Sequence, residues 1–179
     1  MSKTITFDIF DPASIQRAAQ EIREYSKWVQ DKTVELRKRI GERIRREAQH
    51  LFYNAVVDVN VDDDFGEEPD VYDVAVEDNG DITVIVAHGK DAIFIEFGAG
   101  VFFNGAVGSS PNPLVGKNGL KYTIGSYGKG RGKQEKWAYK GKDGEVHWTY
   151  GTRATMPMYR SIVAVADDIV TIAKEVFST

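Results

Sequence analysis

Pro12–Ala55 reads PASIQRAAQEIREYSKWVQDKTVELRKRIGERIRREAQHLFYNA. Ile15, Ala18, Ala19, Ile22, Tyr25, Val29, Leu36, Ile40, Ile44, Ala48, Leu51, Phe52 and Ala55 fall at spacings of three and four. That is one apolar stripe on a very long helix, or on two helices end to end. Asp11 followed by Pro12 supplies an N-cap and a proline at the first helical position. The opposite face carries ion pairs at helical spacing, such as Glu35 with Lys38 and Arg39, and Glu42 with Arg45 and Arg46. Gly41 interrupts the pattern and marks a bend or a close contact. An unbroken helix over this span would be about 65 Å long. That exceeds the width of a compact domain of this length. The helix must therefore bend, or project as an arm onto something else.

Downstream the period changes to two. Val57, Val59 and Val61 alternate with acids and Asn60, and Tyr72–Val76 meets Ile82–Val86 around Asp78-Asn79-Gly80. A three-residue loop there sets Val76 opposite Ile82 and Val74 opposite Val84, with Gly80 left-handed. Ala92–Phe97 predicts a further strand. Gln134–Lys140 and Glu145–Tyr150 flank a four-residue loop that would set Trp137 opposite Trp148 in an aromatic ladder. Pro157 opens a last helix whose apolar face includes Ile162, Val165, Ile169, Ala173 and Val176. The expected fold is α+β. It has a long N-terminal helix, an antiparallel sheet of about five to six strands, a long glycine-rich loop, and a C-terminal helix packed on the sheet. A single domain is divided as 12–55 helix, 56–97 strands, 98–133 interaction loop, 134–150 hairpin and 157–177 helix.

The loop Gly98–Lys133 holds ten of the seventeen glycines, yet also Phe102, Phe103, Leu114, Tyr122 and Tyr127. Disordered linkers are poor in such residues, so burial against a partner explains this composition better than free solvation. Charge is segregated as well. Asp58–Asp81 contains eleven acids and no base, with Asp62, Asp63, Asp64, Glu67 and Glu68 forming an acidic face. Lys117–Lys142 contains eight bases and one acid, and Lys129, Arg131 and Lys133 stand out on glycine. Either these are two solvated surfaces, or one meets its opposite on a neighbouring copy.

Organised chemistry is hard to find. The chain has no cysteine, which removes disulfides and thiolate metal sites. His50, His88 and His147 are scattered, and no metal site is expected. Asp58-x-Asn60-x-Asp62 imitates a calcium loop, but Asp63 replaces the turn glycine and Pro69 the bidentate glutamate. Gly128–Lys133 lacks the spacing of a phosphate loop. A mobile basic loop touching DNA backbone is the alternative for it, against a net charge of −4. Neither enzymatic activity nor a cofactor is expected. No apolar run is long enough to span a bilayer, and the start shows no export leader.

Two stretches carry a family resemblance. Ala92-Ile-Phe-Ile-Glu-Phe-Gly-Ala-Gly100 resembles the Glu-Phe-Gly signature of phage head–tail joining, or tail-completion, neck proteins of the gene-product-ten class. Tyr150–Tyr159 is similar to that family's closing motif, a glycine (Gly151) followed by the proline (Pro157) that starts the last helix. The acidic Asn60–Asp70 stands where many members carry a different segment. The resemblance implies a ring-forming virion subunit, sixfold favoured, assembled in the host cytoplasm. Its implied partners are copies of itself, a portal-side connector, and tail-tube or tail-terminator proteins. DNA would pass through the channel in non-specific proximity, and no membrane is involved. A minor capsid or tail-terminator protein is the nearest alternative. Glu96, Phe97, Gly98, Phe102, Phe103, Lys129, Arg131, Lys133, Gly151 and Pro157 are the motif and interface candidates.

Overall fold

The long stripe forms one helix. In a computed structural model, which describes residues 4–55, 70–71, 73–100, 112–113, 135–141 and 144–178, α1 runs unbroken over Pro12–Tyr53. Its 42 residues span about 63 Å. The Asp11 carboxylate accepts hydrogen bonds from the N–H groups of Ala13 and Ser14 at 3.0 and 3.2 Å, as an N-cap should. The helix stops two residues short of the expected Ala55, where both the backbone and the side-chain amide of Asn54 donate to the His50 carbonyl.

Cover on α1 is concentrated on its C-terminal half, where Gly41, Ile44, Ala48 and Phe52 are buried, with Ala18 the buried residue near its start. Ala48, Phe52 and Ala55 form the core with Val74 and Ile95, and Val71, Ile85, Ala87, Ala92 and Met158 pack around it. Burying Phe52 contributes about 1.5–3 kcal/mol of transfer free energy. At the other end, Ile15, Ile22 and Tyr25 remain exposed, as do Phe7, Ile9 and Phe10 before the helix.

Strands β1 (Asp73–Asp78) and β2 (Thr83–His88) pair antiparallel and lay one face on α1. Val76 lies opposite Ile85 and Val74 opposite Ala87, so the expected three-residue loop is corrected to a four-residue one. Two local side-chain turns explain the extra residue. Asp78 accepts from the Gly80 N–H, and Asn79 accepts from Asp81 and Ile82. Gly80 has φ +95°, left-handed as expected. The Arg37 guanidinium of α1 donates to the carbonyls of Gly80 and Asp81 and ties the turn to the helix.

Gly41 is a close contact and not a bend. A Cβ there would meet a Thr83 methyl at 3.0 Å and a Val76 methyl at 3.2 Å. Gly41→Leu is expected to lose about 1–3 kcal/mol through overpacking, although leucine is the better helix former. Urea unfolding checks this, and a neutral or stabilised variant would show that the sheet is free to move off the helix.

Ala92–Phe97 is the clearest correction: it is a short helix, α2, and not a strand. A run of apolar residues this short has no period that separates the two states. Asp91 decides it locally, since its carbonyl accepts from both Phe94 and Ile95 at 3.0 Å. Gly98, with φ +85°, ends the helix and donates to the Phe94 carbonyl.

Strands β3 (Trp137–Lys140) and β4 (Val146–Thr149) form a second antiparallel pair. Trp137 lies opposite Thr149 and Ala138 opposite Trp148, across a five-residue loop closed by the Gly141 N–H on the Glu145 carbonyl. The expected Trp137–Trp148 ladder is thereby corrected, and the two tryptophans occupy opposite faces. The described residues thus hold four strands in two separate two-stranded sheets, and not a sheet of five to six. The Val57–Val61 strand and the 98–133 loop, apart from 98–100 and 112–113, lie outside the described residues.

The last helix is broken in two. α3 (Pro157–Ala166) and α4 (Ile169–Ser178) meet at Asp167-Asp168, where the Asp168 carboxylate pairs with Arg43 of α1 at 2.7 Å. Both pieces pack on α1, and α3 also meets α2, so the expected packing on a sheet is corrected too. α4 runs antiparallel to α1, with Glu175 near Arg39 and Phe177 edge-on to Trp28 at 5.8 Å. It ends there. The α1 residues before Trp28 therefore extend about 24 Å further. No helix among the described residues is long and apolar enough to cross a membrane.

Candidate functional site

The Glu-Phe-Gly stretch and the Tyr150–Tyr159 stretch meet at one junction, and Glu96 is its centre. Glu96 sits at the end of α2 and is 7 % exposed. One carboxylate oxygen accepts from the Met158 N–H at 2.8 Å. The other accepts from the Tyr159 N–H at 3.1 Å and from the Asn112 side-chain amide at 2.7 Å. Met158 and Tyr159 follow Pro157 in the first turn of α3, where N–H groups have no intrahelical acceptor. The residue at the helix entrance, Met156, has no side chain able to cap and is itself left-handed, φ 56° and ψ 49°. Glu96 therefore supplies from another helix the cap that the local sequence lacks. A negative charge at that end also complements the helix dipole.

Burial pushes the Glu96 carboxyl above the usual glutamate range. The hydrogen bonds from Met158, Tyr159 and Asn112 pull the other way.

Backbone contacts extend the junction. Ala99 N–H donates to the Thr152 carbonyl at 2.8 Å, and Thr155 N–H to the Ile95 carbonyl at 2.9 Å. The chains lie so close that side chains are excluded. A Cβ at Gly151 would stand 2.4 Å from the Ala99 carbonyl oxygen. One at Gly100 would stand 2.4 Å from the Tyr150 oxygen and 2.5 Å from the Trp137 ring. Gly98, Gly100 and Gly151 all have positive φ.

Of the sequence candidates, Glu96, Gly98, Gly151 and Pro157 are buried together here, and Phe97 is half-buried beside them. Phe102, Phe103, Lys129, Arg131 and Lys133, and the acids Asp62, Asp63, Asp64, Glu67 and Glu68, lie outside the described residues. Sequence reading missed Asn112 as the third partner of Glu96. The signal was a lone glutamate in an otherwise apolar run, since a buried carboxylate needs donors brought to it.

Glu96 has its oxygens engaged by structural donors, so the junction acts as a clasp. Among the described residues no three His, Cys, Asp or Glu side chains converge to hold a metal ion. Two open grooves flank α1 instead, of about 380 and 250 Å³, one beside Lys38, Glu42 and Ile172 and one beside Arg46, Ala164 and Asp168. Neither includes the junction. The chain matches no family model, no curated protein and no solved structure.

Proposed function

We propose that the chain is a non-catalytic virion subunit of a long-tailed phage, a ring-forming component of the neck that joins the DNA-filled head to the tail. The observation that carries this reading is the clasp. The two stretches on which the resemblance rests are the two that Glu96, Gly98 and Gly151 hold together. Their pattern then has a physical reason in one fold, in place of two independent short motifs. The clasp makes a firm base at Gly100, where the chain enters the 101–134 stretch, and holds that stretch again at Asn112. The exposed apolar residues on the first turns of α1 support an assembling role as well, since patches of this kind mark interaction sites.

Deleting the gene from its phage tests the proposal. The expected lysate contains DNA-filled heads and separate tails of normal length, with infectivity restored by the chain supplied from a plasmid. Tails of uncontrolled length would assign it to the tail terminator, and malformed heads to the capsid. Infectious particles in normal yield would refute a virion role.

A further inference from the structure

The two hairpins lie in separate sheets and present faces that match each other. Strand alternation divides each hairpin into an inner and an outer face. On β1–β2 the inner face holds Val74, Val76 and Ile85 towards α1. The outer face carries Asp73, Ala75 and Glu77 on one strand, opposite His88, Val86 and Val84 on the other. On β3–β4, Trp137, Tyr139, His147 and Thr149 share the face that meets Gly100. Its outer face carries Ala138 and Lys140 opposite Trp148 and Val146, and alternation adds Lys136 and Tyr150 at the open end. The Lys136 ammonium lies over the Trp148 ring at 5.3 Å, which places it on that face.

The two faces share a pattern. One strand reads acid, Ala75, acid at alternate positions, and the other reads Lys136, Ala138, Lys140. In each case the charges lie four positions apart, about 13 Å along a strand. Each alanine leaves a low centre between its charges. The companion strands bring Val84 and Val86 on one side, and Val146, Trp148 and Tyr150 on the other. All the large ones but Val86 are exposed: Val84 by 47 %, Val146 by 63 % and Trp148 by 41 %. Glu135 and Glu145 stand at the ends of the basic ladder and outside its rows. Arg45 of α1 also attracts Asp73.

We propose that the outer face of β3–β4 docks on the outer face of β1–β2 of a second copy of this chain. Lys136 and Lys140 then meet Asp73 and Glu77, and Trp148 covers Val84 and Val86. Among the described residues nothing is packed on either face, and the contact is assigned to two copies. The two faces differ, so the contact is head-to-tail and each copy uses both faces, the arrangement that closes into rings. This rests on the ring reading above and names its interface. Two strands by three rows cover far less than the roughly 1,200 Å² of a stable two-body interface. The contact therefore sets register and direction, through paired charges and an aromatic anchor.

Single cysteines test it cleanly, because the full chain has none. Packed sheets lie about 10 Å apart, so a bis-maleimide of about that reach is the probe. Val84→Cys mixed with Ala138→Cys is expected to give a covalent dimer that neither variant gives alone. The double variant is expected to give a ladder of oligomers. Lys136→Glu with Lys140→Glu should cut the yield about tenfold or more. Pairing that variant with Asp73→Lys and Glu77→Lys in the partner should restore it. Equal cross-linking of each single variant to itself, no cross-link in the mixture, or a yield indifferent to charge reversal would each overturn the proposal. Rings seen by electron microscopy without the 84–138 cross-link would refute this interface and leave the ring reading standing. Particles that assemble normally without the gene would refute that reading instead.

Discussion

Glu96→Ala is expected to lose about 3–5 kcal/mol of folding stability, among the largest effects of any single substitution here. The carboxylate accepts from the N–H groups of Met158 and Tyr159 and from the Asn112 amide. Alanine takes the acceptor from the part-buried N–H groups of Met158 and Tyr159, at about 1–3 kcal/mol for each before relaxation, and removes the 2.7 Å bond from Asn112, whose 3.5 Å contact with the backbone carbonyl of residue 96 stays. α3 loses the Glu96 cap at the same time, and Met156 at its entrance offers none. Thermal unfolding should fall by on the order of 10 °C. Glu96→Gln keeps the shape and should cost less, about 1–3 kcal/mol, since its amide nitrogen faces a donor on one side. A stable Glu96→Ala protein with an unchanged unfolding midpoint would show that the clasp contributes nothing to the fold.

The same residue gives the stability a pH dependence of defined sign. Burial raises the folded-state pKa of Glu96, so the folded chain holds that proton more tightly than the unfolded one. Its contribution is fully present below the ordinary glutamate range. It declines as pH rises from there through the raised folded value, and is level above that. The stability gap between wild type and Glu96→Gln should therefore narrow as pH climbs. Glu35, Glu42 and Asp78 shift the opposite way through their hydrogen bonds to Lys32, Arg45 and the Gly80 N–H, and are common to both proteins. The difference between the two titrations isolates Glu96.

α1 was legible because its signals were long and redundant: a sustained stripe, Asp11-Pro12 at the start, and acid–base pairs on the far face. α2 was not, because six residues carry too little period and the deciding contact, the Asp91 carbonyl, is backbone. Both hairpins were placed correctly and both registers missed, each by a loop one residue longer than expected. The reading paired the strongest apolar faces, whereas in β3–β4 the face of Trp137 is drawn to Gly100 and that of Trp148 is left open. Tertiary contact decided the register, and no local pattern records it. The junction was half legible. Glu96, Gly98, Gly151 and Pro157 were singled out, but that the carboxylate of one stretch caps the helix of the other depends on their distance in space.

Gly151→Ala is expected to match or exceed the loss at Glu96, by a different route. At φ +97° an alanine bears a left-handed penalty of about 1–2 kcal/mol. Its methyl would also stand 2.4 Å from the Ala99 oxygen and 2.9 Å from the Gly100 Cα. These are backbone atoms, and they cannot swing aside as a side chain would. Moving them would stretch the 2.8 Å bond from Ala99 N–H to the Thr152 carbonyl and shift Gly100 against the Trp137 ring. The strain thus opens the junction along its length, for a total of about 3 kcal/mol or more. Gly80→Ala is the control, since it shares the positive φ but meets nothing within 4 Å. It should show the conformational penalty alone, about 1–2 kcal/mol. Chemical denaturation of the two variants side by side separates strain from collision. Equal losses would mean that the two motif stretches are not pressed together at Gly151.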